Sequence, residues 1–291
     1  MRSDRSRRSL GLLGVITLAT FAGGPSARGS IIGGERVSDA EYSEVFALTY
    51  SDPAVSGKKR LCSAVLVHPE VLLTAAHCLP ADPGTAIEVL EGANARAPTA
   101  TVTAHRSVRN AVYFTTMDEI ARTGFDVGVI VLDAPIDGAD AVTGAKLATL
   151  GSILDPRDRA GAFANGVTVV GFGGRKDTGV DATTGWKRTA DTNVLEMNDF
   201  ALTTSGPHGG ISHGDSGGPA FVRVNGRLRL LGIASGSPED ESGTVPAHPD
   251  VSLYAGMRPE IACWIERAAD RGLPALPGSI GCPKTTSFGS K

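Results

Sequence analysis

The chain has 291 residues, of which 41% are hydrophobic and 20% are charged, and its formal net charge is −3. This length and composition allow one large core or two modest ones, and they exclude an intrinsically disordered protein. A mildly acidic chain is not built to hold nucleic acid through its phosphates, so we expect no nucleic-acid partner.

The first thirty residues differ from the rest of the chain. A basic start, MRSDRSRRS, is followed by the apolar run LGLLGVITLATFAGG and then by small residues. This order is typical of a secretory signal peptide over residues 1–30, with room for a short propeptide. An uncleaved membrane anchor is the alternative, although Gly and Thr interrupt the apolar run. We therefore predict a secreted, extracellular protein without membrane association once the signal is removed.

From Ile31 onward, short apolar runs are separated by Gly, Pro, Asp and Ser, as in β-strands joined by turns. Strands are predicted within EVFALTY, CSAVLVHPEVLLTA, IEVLEG, VGVIVLD, VTVVGFGG, PAFVRVNGRLRLLGIAS and VSLYAGM. Asn225 and Gly226 supply the left-handed residues that a two-residue hairpin turn requires. Helical spacing is found in PEIACWIERAADRG, which begins at Pro259 and ends before Gly272. The pattern predicts an all-β sandwich or barrel with one C-terminal helix.

A polar stretch rich in Asp, Gly and Ala, residues 137–162, is expected to connect two sub-domains. The four cysteines of an exported chain favour two disulfides, and their grouping in the sequence favours Cys62 with Cys78 and Cys263 with Cys282. Neither pair has the close spacing of zinc ligands, so a metal site is the weaker interpretation. The second disulfide would tether the Pro/Gly/Ser-rich tail at residues 273–291.

Three side chains have the chemistry that serine-based nucleophilic catalysis needs. His77 ends an apolar run and precedes Cys78, whose disulfide would fix the turn that directs the imidazole. Asp126 opens a strand that should be buried, where a carboxylate needs a partner such as a histidine Nδ1 proton. In ISHGDSGGPAF, glycines would let the backbone amides of Gly214 and Ser216 point at one spot, as in an oxyanion hole. Taken alone, that stretch could also be a plain loop.

The motifs IIGG, TAAHC, FDV and GDSGGP occur in this order along the chain. Together they resemble the chymotrypsin and trypsin family of serine proteases over roughly residues 31–268. The resemblance implies a protease domain over 31–272, made of two packed six-stranded antiparallel β-barrels at about 31–145 and 146–258, and a helix at about 259–271. It also implies protein or peptide substrates, proteinaceous inhibitors as further partners, a monomer, and no cofactor or metal.

The resemblance assigns roles by position. Ser216 would be the nucleophile, His77 the general base, and Asp126 the carboxylate that orients the histidine. The amides of Gly214 and Ser216 would form the oxyanion hole.

The family also uses a new amino terminus that pairs with the acidic residue before the serine, which here gives Ile31 and Asp215. Burying an amine and a carboxylate is tolerable when the two groups meet. Ser30, rather than Lys or Arg, precedes Ile31. Either signal peptidase or a non-tryptic protease makes this terminus, or Ile31 is not the mature terminus.

The substrate pocket departs from that of trypsins. Gly210 stands where trypsins carry an aspartate, so cleavage after Lys or Arg would lack its charge partner. The positions that the resemblance assigns to the pocket and cleft are Gly210, Ser212, His213, Ser235, Ser237 and Ser252. We expect a preference for apolar or small side chains, whereas His213 could favour acidic ones.

Two alternatives remain at the level of the sequence. One is a glutamyl-type endopeptidase of the same fold, and the other is a non-catalytic, protease-like binding protein. The segment IEVLEG resembles the calcium loop of animal trypsins, but of the acidic residues needed there we see only Glu91, so calcium is not predicted.

Overall fold

The computed structural model describes residues 31–52, 59–82, 84–110, 117–140, 146–174, 183–206, 210–237 and 251–270. The predicted signal peptide at 1–30 and the predicted tail at 273–291, with Cys282, lie outside the described residues. Within them, no helix is both long and apolar enough to cross a bilayer.

Short strands dominate the described chain. In order they are β1 (Glu35–Arg36), β2 (Val45–Ser51), β3 (Lys59–His68), β4 (Val71–Thr74), β5 (Ile87–Glu91), β6 (Ala100–Ala104), β7 (Arg106–Arg109), β8 (Gly128–Val131), β9 (Val167–Gly171), β10 (Arg188–Met197), β11 (Ala201–Ser205), β12 (Pro219–Val224), β13 (Arg227–Gly236) and β14 (Val251–Gly256). The helices are α1 (Met117–Thr123), α2 (Pro156–Asn165) and α3 (Pro259–Ala269), together with a short 3₁₀ helix (Ala76–Cys78).

The strands form two antiparallel sheets of seven strands each. The first has the order β6-β5-β2-β3-β4-β8-β7, and its described pairings form a half-barrel. The second has the order β1-β10-β11-β14-β13-β12-β9, and the additional pairing of β9 with β10 closes β9 to β14 into a six-stranded barrel. The predicted all-β, two-barrel fold with a C-terminal helix is confirmed, with a closed barrel in the second half and, over the described residues, a half-barrel in the first.

The turns between strands follow the residues that the sequence supplies. The apolar run that begins at Cys62 is interrupted after His68, so β3 and β4 form a tight antiparallel pair. Asn225 and Gly226 have φ values of 51° and 78°, as the predicted hairpin between β12 and β13 requires. Buried Val, Leu and Ile side chains of both sheets form the core.

The start of the described chain packs on the second sheet. Strand β1 pairs with β10, and the Ile32 N–H donates to the Gly210 carbonyl at 2.7 Å. The Ile31 side chain is 1% exposed and belongs to the apolar cluster of the second sheet. The amino-terminal segment is therefore anchored beside the loop that carries Gly210.

Helices α1 and α2 lie where the sequence pattern did not predict a helix. The stretch 137–162, expected to be a polar connection, contains most of α2. The Asp155 side chain accepts from the Arg157 N–H at 2.8 Å, and Pro156 occupies the first turn, so this start follows ordinary capping rules. Asp158 of α2 is fully buried and pairs with Arg229 of β13 at 2.8 Å, which fixes the helix to the second barrel.

Candidate active site

His77 and Asp126 lie just beyond the ends of two paired strands. In the register of β4 with β8, Thr74 faces Gly128, so the residues after Thr74 run alongside those before Gly128. The His77 Nδ1 is 2.8 Å from Asp126 Oδ2, and the His77 backbone N–H donates to Asp126 Oδ1 at 3.0 Å. Asp126 is fully buried, whereas the His77 side chain is 31% exposed. One buried carboxylate thus holds both the backbone and the ring of this histidine.

The predicted disulfide between Cys62 and Cys78 is confirmed, with a Cα–Cα distance of 6.1 Å. It joins β3 to the 3₁₀ turn that carries His77. The Cys78 Sγ lies 3.6 Å from the Ser216 carbonyl oxygen, and that oxygen accepts a hydrogen bond from the Ser63 N–H at 2.8 Å. Strand β3 therefore supports both the His77 turn and the Ser216 turn.

The second predicted disulfide involves Cys263 of α3. This cysteine is disulfide-bonded. Its predicted partner Cys282 lies outside the described residues, so the pairing stays a prediction.

The Ser216 turn owes its glycines to close packing against the first sheet. Gly217 has a φ of 83°, and a Cβ there would collide with Thr74 Oγ1 and the Ser63 carbonyl oxygen. Its N–H donates to the Ala234 carbonyl at 2.8 Å, which ties the turn to β13. The glycines thus bring the half-buried Ser216 turn against Ser63 of β3 and Thr74 of β4, and Thr74 lies three residues before His77.

The backbone amides of Gly214 and Ser216 donate no hydrogen bond within the described residues. The Gly214 carbonyl accepts from Ser63 Oγ at 2.8 Å, and Ser63 Oγ in turn accepts from the Phe172 N–H at 3.0 Å. Two amides without an internal acceptor, next to a serine hydroxyl, could bind an oxyanion. Sequence reasoning missed Ser63, because no motif distinguishes its hydroxyl from that of any other strand serine.

Asp215 is 1% exposed, and its carboxyl is surrounded by backbone N–H groups. Oδ1 accepts from the Gly173 N–H at 2.7 Å, and Oδ2 accepts from the Ser212 N–H at 2.9 Å. The Ile31 backbone N–H also donates to this carboxyl. Burial raises the pKa of Asp215 to about 6, while these hydrogen bonds limit the rise. The structure therefore brings Ile31 and Asp215 together.

Two of the residues predicted for the substrate pocket make internal hydrogen bonds. Ser252 is fully buried, and its Oγ accepts from the Ile211 N–H at 2.9 Å. Ser212 Oγ donates to the Gly174 carbonyl at 2.7 Å. These hydroxyls hold the loop that leads into the Ser216 turn, a function that the sequence did not reveal.

The other predicted pocket residues have different surroundings. Gly210 is buried and accepts from Ile32, as described above. Ser235 is 3% exposed, and its hydroxyl has no hydrogen-bond partner among the described residues. His213 is exposed and Ser237 is half-buried.

Glu91, from the segment that resembles a calcium loop, is paired with an ammonium group. Lys146 Nζ lies 2.8 Å from Glu91 Oε1 and also donates to the Asp137 carbonyl at 2.8 Å. An internal cation therefore neutralises this carboxylate.

Comparison with known proteins agrees with this fold. The family model for trypsin matches residues 31–254. A trypsin from Saccharopolyspora erythraea is 27% identical over 238 residues, which cover 78% of this chain and 93% of that protein. These matches define a hydrolase of the protease class, which acts on proteins or peptides. The chain belongs to the trypsin family.

Proposed function

We propose that the chain is a secreted serine endopeptidase that works through an acyl-enzyme formed on Ser216. The observation that supports this most strongly is the bond of the buried Asp126 carboxylate to both the ring and the backbone of His77. A carboxylate in that place orients the imidazole and stabilises its protonated form during the reaction. The Ser216 turn, which packs against Ser63 and Thr74 through Gly217, supplies the hydroxyl.

In the first half of the reaction, His77 Nε2 takes the proton of Ser216 Oγ as Oγ attacks the scissile carbonyl carbon. The Nδ1 proton stays directed at Asp126. The tetrahedral intermediate then collapses, the C–N bond breaks, and His77 gives its proton to the departing amine. In the second half, a water molecule loses a proton to His77 and attacks the acyl-enzyme carbonyl carbon. When this second tetrahedral intermediate collapses, the C–Oγ bond breaks, His77 returns the proton to Ser216 Oγ, and the acid product leaves.

The backbone N–H groups of Gly214 and Ser216 would receive the negative charge that develops on the carbonyl oxygen. Their lack of an acceptor within the described residues supports this role. One such donor is worth a factor of about 10²–10³ in kcat.

Cleavage before Ile31 would replace a neutral backbone amide by an ammonium group beside the Asp215 carboxyl. Because burial has raised the pKa of this carboxyl, a positive partner would favour its charged form. Processing would thereby stabilise the residue next to Ser216 and couple the amino terminus to the oxyanion hole. Export through a signal peptide agrees with the Cys62–Cys78 disulfide, because disulfides persist in oxidising compartments.

Specificity at the primary pocket is proposed from Gly210, which brings no carboxylate to the position where trypsins carry one. We therefore expect poor cleavage after Lys and Arg and better cleavage after apolar or small residues. Peptides that differ only in the residue before the scissile bond test this. Fastest cleavage after Glu would instead favour the glutamyl-type alternative.

The experiment for the proposed function is mass spectrometry of the secreted protein before and after reaction with a fluorophosphonate. We expect a terminus at Ile31 and a label on Ser216, and no label on the matched Ser216→Ala variant. Absence of label from a chain that begins at Ile31 would contradict the proposal and favour a protease-like binding protein. A longer terminus without label would show that the chain is an unprocessed precursor, and the same reaction would then be run on a chain made to begin at Ile31.

A further inference from the structure

The Ser212 hydroxyl lies between the loop that follows β9 and the loop that leads to Ser216. Ser212 Oγ donates to the Gly174 carbonyl at 2.7 Å and is 3.2 Å from Asp215 Oδ2. The residue is 9% exposed, so water has little access to this hydroxyl. Removing it would leave a buried carbonyl and a buried carboxyl each with one polar neighbour fewer.

Gly174 in turn holds the peptide unit that joins His213 to Gly214. The Gly174 N–H donates to the His213 carbonyl at 3.2 Å. In a trans peptide, the His213 carbonyl and the Gly214 N–H point in opposite directions. Fixing the carbonyl toward Gly174 therefore directs the Gly214 N–H to the other side of the loop.

Gly214 is also fixed on its carboxyl side. Its carbonyl accepts from Ser63 Oγ at 2.8 Å, and its φ of 103° is one that glycine adopts readily. The Gly214 N–H has no acceptor among the described residues. The carbonyls of His213 and Gly214 are thus both hydrogen-bonded, whereas the Gly214 N–H remains available.

We propose that Ser212 is a positioning residue for the oxyanion hole, an inference that rests on the proposed function. Its hydroxyl fixes Gly174, Gly174 fixes the peptide between His213 and Gly214, and this peptide presents the Gly214 N–H to the developing oxyanion. Because the Ser212 hydroxyl is bound to Gly174 and lies against Asp215, we assign it a positioning role and not a catalytic one. Its effect is on the transition state, because the oxyanion exists there and not in the bound substrate.

The test compares Ser212→Ala with Ser212→Thr in the full processed chain, on a peptide anilide with a small apolar residue before the scissile bond. We expect Ser212→Ala to lower kcat about tenfold, less than the loss of a whole donor, and to leave KM within about twofold. Ser212→Thr keeps the hydroxyl and should restore most of kcat. Ser152→Ala removes a hydroxyl that accepts from the Leu154 N–H, before α2, and should leave kcat unchanged.

A second readout separates positioning from general loosening of the fold. A peptide boronate forms a tetrahedral adduct that places an oxygen in the oxyanion hole, whereas the carboxylate product peptide forms no such adduct. We expect the inhibition constant of the boronate to rise about tenfold in Ser212→Ala, in step with kcat, and that of the product to change little. If the extra methyl of Ser212→Thr prevents folding, this comparison decides alone.

Unchanged kcat in a folded Ser212→Ala variant would overturn the inference. Equal weakening of boronate and product, with a lowered melting temperature, would also overturn it, because it would show a purely structural role. A wild-type chain that begins at Ile31 but neither hydrolyses peptides nor takes a fluorophosphonate label would overturn the proposed function, and this inference with it.

Discussion

The two halves of the candidate site are held in different ways. His77 and Asp126 are brought together by the register of two neighbouring strands. The Cys62–Cys78 disulfide, which joins cysteines only 16 residues apart, fixes the turn that carries His77. Ser216 and its neighbours are held by glycines and by two hydrogen bonds to distant parts of the chain, from Ser63 to Gly214 and from Ser212 to Gly174. The first half therefore depends on regular secondary structure, and the second on tertiary contacts of individual atoms.

The largest effect is expected from Asp126→Asn, which removes the carboxylate that holds His77 in the first half of the site. The amide would offer a donor where the carboxylate accepts the Nδ1 proton, so His77 would adopt the wrong tautomer. We expect kcat to fall by about 10⁴ with the fold retained. Steady-state kinetics and a melting curve check this. A loss below tenfold would show that Asp126 does not orient the histidine.

The substitution Gly217→Ala disturbs the second half of the site, the turn that carries Ser216. The new Cβ would collide with Thr74 Oγ1 and the Ser63 carbonyl, and a φ of 83° is unfavourable for alanine. We expect a loss of about 3 kcal/mol in the free energy of unfolding, together with most activity.

Gly226→Ala is the matched control for that variant, because Gly226 has a φ of 78° but nothing within 4 Å of the added Cβ. Backbone strain alone should cost about 1 kcal/mol there. Equal losses at the two positions would mean that the collision with β3 and β4 contributes nothing.

The Asp215 carboxyl offers a pH test of the second half. In the unprocessed chain the pKa of Asp215 is raised from 3.8 to about 6, so the folded state favours the neutral carboxyl. The free energy of unfolding therefore falls as the pH rises through this range. An ammonium group at Ile31 should offset that loss. The melting temperature of a chain that begins at Ile31 should exceed that of a chain keeping residues 29 and 30 by more at pH 7.5 than at pH 5. A difference independent of pH would contradict the pairing.

The smallest effect concerns Lys187, which lies outside both halves. It is 1% exposed, and its Nζ donates to the carbonyls of Tyr42 and Glu41. Burial lowers the pKa of Lys187 from 10.5 to about 8, although the carboxylates of Glu44, Asp39, Glu91 and Glu41 oppose the shift. The charged amine therefore lowers the free energy of unfolding. This destabilisation is complete below about pH 8 and becomes smaller as the pH rises toward 10.5.

The free energy of unfolding of Lys187→Met, taken relative to the wild type, should fall by about 1 kcal/mol between pH 7 and pH 10, because only the wild type sheds the cost of its charged amine over that range. The Tyr42 carbonyl keeps a partner, because it also accepts from the Val45 N–H at 2.9 Å. Lys59→Met, at an exposed pair with Glu88, is the control and should change stability little. Thermal melts at both pH values measure this, and a stability gain that grows with pH would contradict the sign.

The same contrast explains how much the sequence could predict. The hairpin at Asn225 and Gly226, the Cys62–Cys78 disulfide and the strands around His77 follow from local pattern and spacing. The hydrogen bonds of Ser63 and Ser212 join residues far apart in sequence, and no local signal marks their hydroxyls. Helix α2 was not predicted because it is short and its sequence has no apolar stripe. Asp155 followed by proline is nevertheless a helix-start signal.

The most direct test of the central claim is a stopped-flow measurement of leaving-group release from an activated peptide ester by the processed chain. An acyl-enzyme on Ser216 predicts a rapid burst of close to one equivalent per chain, followed by slower turnover, and no burst with Ser216→Ala. Slow linear release that is the same in both proteins would contradict covalent catalysis by Ser216.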